Sequence, residues 1–246
     1  MILYFSATGN SKYVAERIAK AIGTKTVSIQ QIKGKTLTDV HGMVSPTYAW
    51  GLPNIVEEFL QTHKLVTHEG KCFYIATYGT TPGASWYLAQ KALQYGSNIS
   101  FDAFYGVRMP DTWTPIFNLS DREKVARINT NAEMQIEEII HLVQSKAVGN
   151  YMKYRLPAAA GAVYPFWYDR MRKTKHFAVE DSCIGCGLCE KKCPMQAIKM
   201  KDGKPVWIKE QCIMCLGCLH RCPKFAIQYG KKTAKHGQYR NPNVKI

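Results

Sequence analysis

The fold of the C-terminal part is decided by Cys183-Ile-Gly-Cys-Gly-Leu-Cys-Glu-Lys-Lys-Cys-Pro-Met-Gln-Ala-Ile198. This stretch returns 29 residues later as Cys212-Ile-Met-Cys-Leu-Gly-Cys-Leu-His-Arg-Cys-Pro-Lys-Phe-Ala-Ile227, with eight of the sixteen positions identical. Each copy has the spacing C-x2-C-x2-C-x3-C-P. A repeat this short cannot build a solenoid, so it indicates one duplicated unit with pseudo-two-fold symmetry.

The spacing of the cysteines predicts two [4Fe–4S] clusters. Thiolates hold the iron of such clusters, and the fourth cysteine of a run with this spacing binds the other cluster of the pair. We therefore expect crossed ligand sets: Cys183, Cys186, Cys189 and Cys222 for one cluster, and Cys212, Cys215, Cys218 and Cys193 for the other. Three glycines in the runs are expected to let backbone N–H groups approach the sulfides: Gly185, Gly187 and Gly217.

Zinc and disulfides are the alternatives for eight cysteines lying between Cys183 and Cys222. A structural zinc site typically has two CxxC pairs separated by a spacer, which fits two runs of four cysteines poorly. Disulfides are typical of secreted proteins, whereas this chain opens directly on a predicted strand rather than on an export signal. Clusters are therefore favoured, and from about Phe177 to Tyr229 the chain resembles two-cluster bacterial ferredoxins, which implies one-electron transfer.

The N-terminal part alternates predicted strands with predicted helices. Apolar runs predict strands at Ile2–Ser6, Val40–Ser45, Cys72–Thr77 and Phe101–Met109, and helical spacing predicts helices at 14–22, Ile55–Leu60, Ser85–Tyr95 and Ile128–Val143. Ser120-Asp-Arg-Glu123 fits a capping box at the start of the last helix. This alternation predicts a parallel α/β sheet covered by helices on both faces.

Three loops rich in hydroxyls and glycine follow predicted strands, at Ser6–Ser11, Ser45–Pro53 and Thr77–Gly83. The first joins a strand to a helix and suits a phosphate, although an ordinary N-capped helix is the alternative for this loop alone. It matches neither G-x-x-x-x-G-K-[ST] nor G-x-G-x-x-G, which disfavours ATP, GTP and dinucleotides. Because ligands of open α/β sheets bind at the carboxyl ends of strands, the three loops are expected to converge.

With these loops, residues 1–146 resemble a flavodoxin, a family in which the first loop holds the phosphate of FMN and the next two enclose its ring. The resemblance implies phosphate-binding roles for Ser6, Thr8, Gly9, Asn10 and Ser11. It implies ring-binding roles for Thr47, Tyr48, Ala49, Trp50, Gly51, Thr77, Tyr78, Gly79 and Gly83. Three residues after the next strand end, Arg108, Asp111 and Trp113, are further candidates for the pocket wall.

The whole chain resembles the flavodoxin–ferredoxin fusion proteins of anaerobic microbes. The expected fold class is a flavodoxin-like doubly wound parallel α/β sheet followed by a small α+β two-cluster ferredoxin domain. The expected boundaries are 1–146 for the FMN domain, 147–175 for an ordered linker, 176–230 for the ferredoxin domain and 231–246 for a basic tail.

The net charge of +15 is concentrated in the C-terminal part, where residues 151–246 carry 19 basic and 6 acidic side chains. This predicts an acidic redox partner, either a ferredoxin- or flavodoxin-like protein or a reductase. Nucleic acid is disfavoured because no nucleic-acid-binding module surrounds these charges. No apolar run reaches the roughly 18 residues of a membrane span, so we expect a cytoplasmic protein. The resemblance to the fusion proteins implies a role in anaerobic metabolism.

Two functions fit these features. The first is an electron-transfer protein that moves electrons between two clusters, FMN and redox partners; the second is a flavin-dependent reductase of a small molecule, fed through the clusters. The first is favoured because no loop shows an acid/base pair, and no catalytic residue is predicted. A reductase would need a lid over the flavin, for which the candidates are Trp113, Trp167, Tyr168 and Tyr239. For His220, a hydrogen bond within the cluster loop and a solvent-facing position remain open.

Overall fold

The computed structural model describes all residues, 1–246, and a six-stranded sheet organises the N-terminal part. Eight strands lie there: β1 (Ile2–Tyr4), β2 (Thr26–Ser28), β3 (Thr36–Val40), β4 (Gly42–Pro46), β5 (Lys64–Thr67), β6 (Phe73–Tyr78), β7 (Ala103–Arg108) and β8 (Gly149–Asn150). The sheet has the order β2-β1-β4-β6-β7-β8, and every neighbouring pair is parallel. Strand β6 is buried along its whole length, as expected of a central strand covered on both faces.

Five helices cover the two faces of this sheet: α1 (Asn10–Ala21), α2 (Asn54–Thr62), α3 (Ser85–Ser97), α4 (Arg122–Gln144) and α5 (Ala160–Met171). On one face, α1 and α4 bury apolar residues such as Val14 and Ile136 in a core of 16 buried residues. On the other face, α2, α3 and α5 contribute to a core of 23 buried residues, which we call the main core. The predicted flavodoxin-like α/β class is therefore confirmed.

Two local predictions differ from the structure, and one strand is not predicted by the sequence. The predicted capping box is displaced by one residue. Asp121 rather than Ser120 caps helix α4, because its carboxylate accepts from the backbone N–H of Lys124 at 2.9 Å. The linker contains helix α5 despite Pro165 within it, because buried Tyr164 and Tyr168 pack on the main core. The polar segment Thr36–Val40 is a strand that pairs with β5 in a separate small sheet.

The C-terminal part consists of short strands and short helices around the cysteine runs. Its elements are β9 (Phe177–Val179), α6 (Leu188–Lys191), β10 (Ile198–Lys201), β11 (Lys204–Trp207), α7 (Gly217–Arg221), β12 (Ile227–Tyr229) and α8 (Thr233–His236). Strands β10 and β11 form one antiparallel pair, and β9 and β12 form another. None of the helices in the chain is both long and apolar enough to cross a membrane.

Left-handed backbone recurs at equivalent positions of the two cysteine runs, but the residue types differ. Gly185 and Gly187 have φ of 66° and 70°, and Met214 and Leu216 have φ of 53° and 50° at the positions 29 residues later. Glycine adopts this conformation freely, whereas other residues do so at a cost of about 1–2 kcal/mol. Gly217 begins α7 without a positive φ and lies against the Cys215 sulfur, so its expected role in admitting a backbone N–H to the sulfides stays a prediction.

Candidate functional site

A cavity of about 290 Å³ lies at the carboxyl ends of β1, β4, β6 and β7, and we call it the main cavity. The loops that follow these four strands form its wall, as the position of ligands in open α/β sheets predicts. Its volume is close to the lower end of the roughly 300–1,000 Å³ typical of small-molecule sites. The main cavity is therefore the strongest candidate for a cofactor site in the N-terminal part.

Most of the residues predicted to bind phosphate or ring line the main cavity. These residues are Ser6, Thr8, Asn10, Ser11, Thr47, Tyr48, Ala49, Trp50, Thr77, Tyr78 and Gly79. The other three, Gly9, Gly51 and Gly83, do not, and their lack of a side chain is needed for contacts within the protein instead. A Cβ atom at Gly51 would lie 2.4 Å from the Tyr164 ring, and one at Gly83 would lie 1.9 Å from the Trp50 carbonyl oxygen.

The polar groups of the first loop are preorganised around the start of α1. The Gly9 N–H donates to Ser6 Oγ at 3.1 Å, and Ser11 Oγ lies 2.8 Å from Thr77 Oγ1. The N-terminal end of a helix favours an anion because its first N–H groups point outward with aligned dipoles. Thr47 Oγ1, in the loop after β4, is buried without a hydrogen-bond partner in the chain, so a polar occupant would satisfy it. This arrangement fits a phosphorylated cofactor.

The loop after β7 contributes a carboxyl group to the main cavity. Asp111 lies on the wall, where its Oδ1 accepts from the Trp113 N–H at 3.0 Å, and a Cβ at Gly79 would lie 2.1 Å from its Oδ2. Burial raises the pKa of this carboxyl group, and the single N–H bond only partly offsets the effect. Trp113 also lines the cavity, whereas Arg108 is exposed and donates to the Gly79 carbonyl.

Helix α5 and the second cysteine run complete the wall of the main cavity. Tyr168 and Met171 reach it from the helix, and Met214 and Cys215 reach it from the run. The Tyr168 hydroxyl donates to the Ile213 carbonyl at 2.7 Å, which fastens the helix to the run. Of the other lid candidates, Trp167 is 56% exposed, and neither it nor Tyr239 lines the cavity.

The eight cysteines of the two runs form two separate groups. The outer cysteine pocket is lined by Cys183, Cys186, Cys189 and Cys222. The inner cysteine pocket is lined by Cys193, Cys212, Cys215 and Cys218. Each group thus combines three cysteines of one run with the fourth cysteine of the other, which is the crossed arrangement that the spacing predicts.

The environment of these sulfur atoms fits a cluster better than a single metal ion. The Sγ atoms of Cys193 and Cys222 accept backbone N–H groups from Ala197 and Ala226, each at 3.3 Å. Such bonds stabilise negative charge on a thiolate and tune a cluster. The only three metal-ligand side chains with ligand atoms within 4.8 Å of one another are Asp39, His41 and His68, far along the chain from the cysteines. A tetrahedral zinc site would bring thiolates within about 3.8 Å, given Zn–S bonds of about 2.3 Å.

His220 joins three parts of the molecule and does not face solvent. It is 1% exposed, its Nε2 lies 2.8 Å from the Thr112 carbonyl oxygen, and its Nδ1 accepts from the Tyr239 N–H at 3.2 Å. Because Nδ1 accepts, Nε2 carries the proton and donates, so the ring is neutral. Burial accordingly lowers its pKa to about 4. The solvent-facing alternative is wrong, and the hydrogen bonds connect the second run to the loop after β7 and to the tail.

Comparison with known families agrees with this division of the chain. Residues 1–137 match the family model of the flavodoxin domain, and residues 182–227 match that of the 4Fe-4S dicluster domain. Because the first match covers more than half of the chain, this protein belongs to the flavodoxin domain family, here joined to a 4Fe-4S dicluster domain. The two domains together support an electron-transfer role.

Individual proteins are similar over parts of the chain. A ferredoxin of Acetoanaerobium sticklandii is 50% identical over 30 residues, which are 12% of this chain and 54% of that ferredoxin, so the match spans about half of its length. A solved flavodoxin from the domain Archaea has a TM-score of 0.32 at 16% identity, covering 58% of this chain and 96% of its own. A flavoprotein from Bacteroides uniformis has a TM-score of 0.29 at 16% identity, covering 53% and 96%.

Proposed function

We propose that this protein is an electron carrier that holds FMN in the main cavity and one [4Fe–4S] cluster in each cysteine pocket. The observation that carries this proposal is the position of Cys215, which lines both the inner cysteine pocket and the main cavity. A cluster ligand and the ring-binding loops therefore share one wall. FMN supplies a group that exchanges one or two electrons, whereas clusters pass one at a time.

The residues of the chain have distinct tasks in this proposal. Ser6, Thr8 and Ser11 bind the phosphate, and Tyr48 and Trp50 flank the ring with aromatic faces. Tyr168 and Met171 exclude water between the ring and the second cysteine run, which keeps the two redox sites in one low-dielectric region. The eight cysteines bind iron, and backbone N–H groups stabilise their charge.

The outer cysteine pocket is the proposed entry point for a partner protein. Cys186 and Lys224 at this pocket are exposed, and the C-terminal part carries most of the net positive charge. An acidic ferredoxin- or flavodoxin-like protein, or a reductase, would be attracted to this face. The cytoplasmic setting and anaerobic metabolism stay predictions from the sequence.

The cofactor content of protein purified without oxygen tests this proposal. We expect about eight iron atoms and eight sulfides per chain, as two [4Fe–4S] clusters require, together with one FMN. Zinc in place of iron would contradict the clusters, and FAD on extraction would contradict the flavin.

The crossed ligands have their own test in a matched pair of variants. Cys193→Ala should disturb the cluster of the inner cysteine pocket, and Cys222→Ala should disturb that of the outer one, although each residue belongs to the other run. Electron paramagnetic resonance of the reduced variants distinguishes the two clusters. Loss of the outer cluster in Cys193→Ala would show that the ligands do not cross.

A second candidate function is a flavin-dependent reductase of a small molecule, and Asp111 is the observation that favours it. A carboxyl group with a raised pKa on the cavity wall can hold a proton for a bound substrate. This function requires saturable, substrate-specific turnover that is lost in Trp113→Ala while cluster reduction persists. A carrier should instead react with small organic acceptors without saturation.

A further inference from the structure

The last eight residues of the chain return to the loop that follows β1. We call residues 239–246 the C-terminal strap. The Asn241 N–H donates to the Thr8 carbonyl at 2.8 Å, and Lys12 Nζ donates to the Lys245 carbonyl at 2.7 Å. No residue of the strap lines the main cavity, so the strap contacts the Ser6–Ser11 loop from its outer side.

The contact with Thr8 fixes the direction of a peptide group at the phosphate site. A carbonyl oxygen that pointed into the site would repel an anion, whereas N–H groups attract it. The bond from Asn241 holds the Thr8 oxygen toward the strap. The N–H of the same peptide group belongs to Gly9 and donates to Ser6 Oγ at 3.1 Å, so the strap and Ser6 together fix the orientation of this peptide beside the cavity that Thr8 lines.

The side chain of Asn10 is held by the strap as well. Its Oδ1 lies 3.0 Å from the Tyr239 hydroxyl and 3.2 Å from Asn241 Nδ2, and its Nδ2 donates to the Pro110 carbonyl at 3.3 Å. The amide of Asn10 is therefore engaged within the protein, although the family resemblance implies a phosphate contact for this residue. It connects the first loop, the loop after β7 and the strap.

Gly9 allows the strap to come this close. A Cβ atom at this position would lie 2.9 Å from Asn241 Cβ and 3.0 Å from Val244 Cγ2. The glycine also has a φ of 99°, which a residue with a side chain rarely adopts. The loop and the strap are thus shaped to fit each other, with Gly9 facing the strap and its neighbours Thr8 and Asn10 reaching the cavity.

From these contacts we infer that the C-terminal strap holds the Ser6–Ser11 loop in its phosphate-binding conformation and so makes the main cavity selective for a flavin that carries a phosphate. Tyr239 and Asn241 are positioning residues in this role: both side chains act through Asn10, and the backbone N–H of Asn241 acts through Thr8. The inference rests on the proposed binding of FMN in the main cavity. The hydrogen bonds of the strap reach the phosphate loop, α1, α4 and His220 of the second cysteine run, but none of the ring loops.

The test compares FMN with riboflavin, which has the same ring but no phosphate. Full-length protein with its clusters intact and its flavin removed is titrated with each flavin, and binding is followed by the quenching of flavin fluorescence. The variants are Tyr239→Phe, which keeps the ring packing, and Asn241→Ala, alone and together, which remove the side-chain bonds to Asn10. A further variant, Asn241→Pro, removes the backbone N–H that bonds the Thr8 carbonyl. Asn243→Ala is the matched control, because this nearby side chain is exposed and makes no hydrogen bond.

We expect each single variant to bind FMN about threefold to fivefold more weakly, and the double variant about tenfold or more, as the loss of one or two hydrogen bonds implies. Riboflavin affinity should stay within about twofold of the wild-type value, because the ring loops are untouched. Iron content and the far-ultraviolet circular dichroism spectrum confirm that each variant is folded.

The outcomes separate this inference from the proposed function. Wild-type protein that binds neither flavin would refute the flavin site, and the strap role with it. Wild-type protein that binds FMN, with variants that bind it equally well, would refute the strap role alone. An equal loss for FMN and riboflavin would show that the strap only supports the fold, which also overturns the inference.

Discussion

The two cysteine pockets come from one duplicated sequence, yet they lie in different environments. Ile184 of the first run is 60% exposed, whereas Ile213, the same residue type at the equivalent position of the second run, is 1% exposed and belongs to the main core. Duplication thus gives the same ligand chemistry twice, and packing against the flavodoxin domain distinguishes the copies. The outer pocket faces solvent, and the inner pocket faces the main cavity.

The sequence difference between the copies explains this separation. Met214, Leu216 and Leu219 of the second run replace Gly185, Gly187 and Glu190 of the first, and all three replacements are buried. Burial of apolar surface stabilises a protein by roughly 25 cal/mol per Å², so the second run packs inward while the first remains outside. The strain of left-handed Met214 and Leu216 is offset by this packing.

The largest expected difference between the two cysteine pockets comes from removing a cysteine at the same position of each run. Cys186→Ala and Cys215→Ala alter the same position of the two runs. If the inner pocket alone passes electrons to the main cavity, Cys215→Ala should prevent flavin reduction by any donor through the clusters. The loss should exceed the roughly 10- to 100-fold effect typical of outer-shell changes at metal sites. Rapid-mixing absorbance of the flavin, without oxygen, measures this rate.

Cys186→Ala should behave differently from Cys215→Ala. A small chemical donor should still reduce the flavin through the inner pocket, whereas an acidic protein donor should not. Iron content of about half the wild-type value in both variants controls for collapse of the whole domain. Equal losses in the two variants with the small donor would remove the functional distinction between the pockets.

The next largest effect is on the free energy of unfolding, at His220 of the second run and at Lys191, its equivalent in the first run. His220→Ala leaves the Thr112 carbonyl and the Tyr239 N–H without their partners in a buried region, which should cost about 2–4 kcal/mol and lower the melting temperature by roughly 5–15 °C. Lys191 holds the equivalent position of the first run and is exposed, so Lys191→Ala should change stability by less than about 0.5 kcal/mol. Thermal unfolding of the two variants tests the contrast, and similar shifts would contradict it.

A smaller effect is expected at the rim of the outer pocket. Lys224→Glu should slow electron transfer from an acidic protein donor by roughly threefold to tenfold at low salt, since it reverses a charge that steers the encounter. The difference should shrink as the salt concentration rises. Lys35→Glu changes an exposed lysine of the flavodoxin domain and is the control. Equal rates for the two variants would place the docking face elsewhere.

The sequence predicts local features well and distant contacts poorly. The cysteine spacing predicts the crossed groups because each run is a short local motif whose fourth cysteine is known to bind the other cluster, and alternating apolar runs predict the doubly wound sheet. The contacts of Asn241 with Thr8 and Asn10 join residues more than 230 positions apart, and no pattern within either segment indicates the other. The burial of His220 has the same origin, although its apolar neighbours Leu216 and Leu219 are a signal that could have predicted it.

The smallest expected effect is the pH dependence of stability at Asp111, a buried carboxyl group of the main cavity, compared with that at an exposed aspartate of the C-terminal part. Burial raises the pKa of Asp111, so the folded state favours its protonated form, and deprotonation destabilises the fold as the pH rises through that pKa. Asp111→Asn keeps an acceptor for the Trp113 N–H but carries no charge. It should therefore raise the melting temperature at pH 8, and the gain should disappear as the pH falls below 3.8, the ordinary pKa of an aspartate.

Asp202→Asn, at an exposed aspartate of the β10–β11 hairpin, is the control and should give no such gain at either pH. A gain at Asp111 that is independent of pH would show that folding does not shift the pKa of this carboxyl group, which contradicts its burial in the wall of the main cavity.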